Sequence, residues 1–218
     1  QIIVNAGGTL TQTANLSLAN GAGDDLVVNG TYDLQANMLA GPGNVLLQSG
    51  SQMTISTASL KQLQNVIITN NDSVNWQDGN IRFDAPNSSV INNGTFTISG
   101  NNTSFFNGGR LSITNNGTFT KTSTGTSNVT GILLFSNAGT INYNGGNFVF
   151  GDANAGGTFT NAGSLVFNTG TFSVGPGCIY NHNAGSTISG SGSFANTGTA
   201  NFNISQIFPS TISLSSIG

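Results

Sequence analysis

Apolar and polar residues alternate along most of this chain in runs of four or five. Thr95-Phe96-Thr97-Ile98, Arg110-Leu111-Ser112-Ile113-Thr114 and Thr118-Phe119-Thr120-Lys121 are three such runs. A period of two is the mark of a half-buried β-strand. Clusters of Asn and Gly separate the runs, and such clusters predict turns, many of them with positive φ. Strands and turns recur together. A turn residue followed by Ser or Thr occurs at Gly8-Thr9, Gly30-Thr31, Gly50-Ser51, Asp72-Ser73, Gly94-Thr95, Gly117-Thr118, Gly139-Thr140, Gly163-Ser164 and Gly185-Ser186, so the interval stays between 20 and 24 residues. A repeat of this length predicts a solenoid before any other fold is considered.

Three runs fall within each repeat. The expected fold is therefore all-β: a right-handed parallel β-helix with about 22 residues and three strands per coil, nine to ten coils in all, roughly 45 Å long at about 4.8 Å per coil. The solenoid is expected over residues 1–203, with 204–218 as a C-terminal tail or cap that includes Ile207, Phe208, Pro209 and Ile212. Ile2–Val4 reads as a lone strand, the last third of a coil. Inward positions should stack in columns. Leu10, Tyr32, Val74, Phe96, Phe119, Ile141 and Leu165 form one. The Asn residues ahead of the turns (Asn5, Asn29, Asn70, Asn92, Asn115, Asn137, Asn161 and Asn183) form another, their amides bonded along the stack.

Composition narrows the function. Charged residues make up 5% of the chain, against roughly 25% in average globular proteins. The net charge of −3 offers no basic stripe for nucleic acid. No apolar run is long enough to span a membrane. Cys178 is the one cysteine, which excludes an internal disulfide and any multi-cysteine metal site; it is expected as a buried thiol. The chain opens on Gln1 rather than Met, which is expected of a processed chain or one excised from something longer.

Coils such as Asn92–Ser99, Asn137–Asn144 and the stretch 161–174, all low in charge and rich in Asn, Gly and Thr, resemble the repeats of large secreted bacterial surface proteins. These are the filamentous-haemagglutinin-like adhesins, autotransporter passenger domains and surface adhesins of gliding Bacteroidota. The resemblance implies secretion to the cell surface, a β-helix and an adhesive or stalk role, with glycans or host and abiotic surfaces as partners. It carries no catalytic motif and no cofactor. The open N-terminal coil is expected to meet further chain or a protein partner.

Four other chemistries are open to such a chain. Polysaccharide cleavage needs carboxylates beside cations, and Lys61, Asp78, Arg82 and Asp84 are the candidates, Lys61 and Arg82 being spaced to stack in adjacent coils. The plainer reading is a solvated ion pair. Asp24 and Asp25 close a Gly-x-Gly-x-Asp sequence that is half of a calcium turn, or an ordinary turn; Asp152 stands alone. Thr95, Thr97, Thr118 and Thr120, with Thr9, Thr11, Thr13 and Thr122, form a Thr-x-Thr array of the kind that matches ice, broken by Asp33, Asn75, Asn142 and Val166. A role as secretion-system cargo or scaffold subunit is a further alternative. Among aromatics, Trp76 is expected inside beside Ile98, whereas one of the adjacent Phe105 and Phe106 must face outward, where it suits a carbohydrate. His182, the single histidine, is expected to be exposed in its turn.

Overall fold

Alternation decides which side chains go inside, and the wall is built accordingly. The computed structural model describes residues 1–19, 23–84, 88–101, 104–107, 110–130, 132–151, 156–209 and 213–216. Among them the regular elements are all β-strands, and they pair in parallel with their counterparts one coil earlier and later. The result is an all-β parallel solenoid with about 22 residues and three strands per coil. It makes about eight turns, short of the nine to ten expected from the repeat, because the first and last coils are incomplete.

The first face is a nine-stranded sheet that starts at Thr9–Gln12 and ends at Thr187–Gly190. The second and third faces join into one 18-stranded sheet, because Asn37–Leu47 and Lys61–Asn70 each turn the corner without a break. Ile2–Val4 pairs with Leu26–Val28 on the third face, as the lone-strand reading requires. At the other end the chain leaves the third face at Phe202 and returns to the second as Ser213–Ser216, paired with Ser193–Asn196.

Leu10, Tyr32, Met53, Val74, Phe96, Phe119, Ile141, Leu165 and Ile188 lie in register on the first face, so the expected column is present and two members longer. The core changes character along the axis. Leu, Val and Ile fill the early coils; from Phe96 onward the filling is largely aromatic. Phe96 stacks on Phe119 with ring centroids 5.0 Å apart, and Phe135 on Phe159 at 4.8 Å. Each such pair adds about 1 kcal/mol beyond its buried area.

Two backbone features hold neighbouring coils together. Gly94, Gly117, Gly139 and Gly163 lack the positive φ expected of turn glycines. They are glycine for another reason: a Cβ at Gly117 would lie 2.1 Å from the Gly94 carbonyl oxygen, and one at Gly139 would lie 2.0 Å from that of Gly117. The second feature is an asparagine ladder. Asn70, Asn92, Asn115, Asn137 and Asn161 are fully or almost fully buried, and each Nδ2 donates to the Oδ1 of the next at 2.6–2.7 Å. The first rung accepts from the Asp72 amide at 3.1 Å. Asn5, Asn29 and Asn183 are not rungs. Val4, Val28 and His182 hold the inner place there, one residue earlier, because the turn in those coils differs by a residue.

Asn71, Asn93 and Asn116 form a second, exposed ladder with amide bonds of 2.9 Å. The two differ in burial and in direction, the exposed amides donating to the preceding coil and the buried ones to the following coil, so their variants compare a buried with an exposed amide ladder. Asn115→Ala strands a buried donor on Asn92 and a buried acceptor on Asn137, and should destabilise the fold by about 3 kcal/mol. Asn116→Ala should change stability by less than about 0.5 kcal/mol. Urea midpoints of the two variants check both values; equal losses would show that burial does not govern the ladder.

Candidate functional site

The first face presents two outward rows on an unbroken register. One holds Thr9, Thr31, Gln52, Ser73, Thr95, Thr118, Thr140, Ser164 and Thr187; the other Thr11, Asp33, Thr54, Asn75, Thr97, Thr120, Asn142, Val166 and Ser189. Rows on adjacent strands are about 4.8 Å apart, and alternate residues within a strand about 7 Å. Asp33 is the one charged side chain in the two rows, and its carboxylate is already occupied by Gln35 Nε2 and Ser56 Oγ, both at 2.7 Å. The rest are small hydroxyls and amides, apart from Gln52 and Val166. Chemically this is a flat lattice of neutral donors and acceptors. Thr95 and Thr97 lie directly beside Thr118 and Thr120, the largest all-threonine block; Thr13 follows the strand and is outside it.

The third face contrasts with it. Ile3, Ile67, Leu134 and Ile179, which point outward there, are among the exposed large hydrophobic residues.

The candidate cleavage residues are divided by the wall. Lys61 pairs in register with Ile81, and Gln62 with Arg82, so Lys61 and Arg82 do not stack as their spacing suggests. Lys61 is buried, its Nζ donating to the Thr57 carbonyl and, at 3.1 Å, to that of Asp78. Arg82 is partly exposed on the outer surface and pairs with Asp84 at 2.5 Å. Those two neutralise each other, as the plainer reading holds. Phe105 pairs in register with Ile81 and Phe106 with Arg82, and the direction of the two rings lies outside what is described.

Asp25 is buried and accepts the Asn44 amide at 3.0 Å, while the Asp24 carbonyl oxygen accepts from Gln1 Nε2 at 3.0 Å. The Asp25 carboxylate is therefore taken up by chain, whereas Asp24 is held through its backbone oxygen. Residues 21 and 22 of that turn, and Asp152, lie outside the described residues. Among the described residues no group of three or more His, Cys, Asp or Glu is placed to hold a metal. A void lined by Leu34, Ile55, Leu63, Ile81 and Phe83, among others, is apolar and internal, a packing defect with no polar group to orient a ligand. Cys178 is buried, and Trp76 is buried beside Ile98, both as expected.

Two arrangements escaped the sequence reading. Lys121 is fully buried, its Nζ donating to the Ser123 carbonyl at 2.7 Å, Ser123 Oγ at 2.6 Å and the Gly125 carbonyl at 2.8 Å. Gln12 and Trp76 hold the same place on their strands and likewise donate to corner carbonyls. Buried donors at this place therefore tie the corner between the first and second faces. The alternation in Thr118-Phe119-Thr120-Lys121 already points Lys121 inward. His182, expected to be exposed, is fully buried at the end of the asparagine column, where its ring replaces a sixth amide. No known protein family, curated protein or solved structure matches this chain.

Burial lowers the Lys121 pKa to about 8, and desolvation lowers that of Lys61 as well, against the pull of Asp78 and Asp33. Between about pH 8 and about pH 10.4 the unfolded chain then binds more protons than the folded one, so stability rises with pH across that window. The burial of Tyr32, Tyr143 and Tyr180 raises their pKa values and reverses the slope above about pH 10. The urea midpoint should increase from about pH 8 to about pH 9.5, and Lys121→Met should remove much of the increase. A flat wild-type profile would show that the ammonium is not desolvated.

Proposed function

We propose that this chain is a non-catalytic structural and binding module of a secreted or cell-surface protein, and that its first face binds neutral glycans. One observation carries the reading: nine strands in continuous register hold two rows of outward side chains of which a single one is charged. Sugars present hydroxyls on a similar scale, and a rigid rank of Thr, Ser and Asn meets them with little ordering entropy. The parallel ladders and the buried corner ties supply the rigidity. Few charges on the face make its binding insensitive to salt.

The block of Thr95, Thr97, Thr118 and Thr120 favours a second reading, ordered water or ice. Asp33, Asn75, Asn142 and Val166 interrupt the lattice and weigh against it.

The purified chain should be retained on an insoluble neutral polysaccharide, unchanged by about 1 M salt, where screening extends to about 3 Å. The double variant Thr118→Lys/Thr120→Lys should reduce retention about tenfold by inserting charged, strongly hydrated side chains. Ser112→Lys/Thr114→Lys on the third face should leave it intact. Retention lost equally in both variants would sink the assignment to the first face. Polysaccharide cleavage abolished by Arg82→Ala would replace binding with catalysis, and thermal hysteresis without glycan retention would favour ice.

A further inference from the structure

The C-terminal end of the asparagine ladder does not stop at Asn161. The Asn161 side chain hydrogen-bonds the Tyr180 hydroxyl. Tyr180 Oη lies 2.9 Å from His182 Nδ1, and His182 Nε2 lies 2.7 Å from Gln206 Oε1. The Gln206 oxygen can only accept, so Nε2 carries the imidazole proton and Nδ1 takes the hydrogen of the Tyr180 hydroxyl. Gln206 Nε2 then donates to the Ile207 carbonyl at 2.6 Å. Every partner is satisfied while the ring is neutral.

Gln206 belongs to residues 204–209, which follow the third-face strand ending at Phe202 and form no strand. Two side chains fasten this segment: Gln206 to His182, and Phe208, whose ring lies 5.6 Å from that of Phe202. Ile207 beside them is 88% exposed.

We propose that His182 is an acid-sensitive latch that holds segment 204–209 over the C-terminal end of the solenoid and releases it when the ring is protonated. A proton on Nδ1 meets the Tyr180 oxygen, which then faces two donors, and its own hydrogen loses its acceptor. The imidazolium also becomes a charge in a site that exposes none of it to water. Tyr180 on its own strand is the titratable group against it. Asn161 from the preceding coil, Phe202 from the following strand and Gln206 from the segment carry no charge. No neighbouring carboxylate is in place to stabilise the cation among the described residues. Burial accordingly holds the His182 pKa below 6.5, with Gln206 opposing in part. The sign follows: as pH falls below 6.5, the open form takes up a proton that the closed form resists, and the latch loosens through the folded pKa.

Hydrogen–deuterium exchange of the full chain, corrected for intrinsic rates and run at about pH 7.5 and about pH 4.5, tests this. The Asn203 amide at the root of the segment, which donates to the His182 carbonyl at 2.9 Å, should lose about tenfold of its protection in acid while the Asn70–Asn161 coils keep theirs. The ring of the single histidine, followed by NMR, should titrate at the same midpoint. His182→Asn, which places a sixth amide in the column, should make the Asn203 amide indifferent to pH. Gln206→Ala should leave it unprotected already at the higher pH. An acid-independent Asn203 amide, an acid response that persists in His182→Asn, or full protection in Gln206→Ala would each overturn the proposal.

Discussion

Parallel stacking in register is the constraint from which the rest of this molecule follows. With coils about 4.8 Å apart, every residue sits directly over its counterpart in the neighbouring coil. Each place in the coil must therefore accept its own kind as a neighbour, again and again. Aromatic rings meet this by stacking, as Phe96 does on Phe119. Amides meet it by donating along one side and accepting along the other, as Asn92 does between Asn70 and Asn115. Glycine meets it where backbones approach too closely for a Cβ. Like charges cannot meet it. A chain with 5% charged residues is the composition that such a wall selects.

The two fully buried lysines fit the same logic, because each interrupts a column at a corner, where carbonyls converge and no second ammonium lies above or below. In register Lys121 has Ile98 on one side and Tyr143 on the other. Lys61 has Asn37 and Ile81. These positions supply a buried donor where the chain turns.

Much of this was legible in the sequence, because the period of two and the repeat near 22 residues are backbone properties written directly in residue type. Each run marked along the chain became a strand, and the column from Leu10 to Leu165 is in register. What was not legible turns on single-residue slips. Asn183 precedes its turn at the same spacing as Asn161. Yet the next strand begins at Thr187 rather than Ser186, so His182 takes the inner place. A shift of one residue reverses inside and outside, which also separated Lys61 from Arg82. The glycines were legible as turns, but not as contacts between coils, since close approach depends on the coil next door. The flat face of hydroxyls and amides could be glimpsed only as scattered Thr-x-Thr pairs, because its continuity exists only once nine strands are aligned.

The asparagine ladder also gives the rod a direction. All of its amides point the same way, from the Asp72 amide toward Tyr180, His182 and the Ile207 carbonyl. One rung turned around would set two donors against each other on one side and two acceptors on the other, so the rungs must reverse together or not at all. The interior thus behaves as a one-way street. A whole coil carrying its asparagine can be inserted or removed in mid-rod and the traffic still flows, whereas half a coil blocks it, so the length of such a rod changes by complete turns.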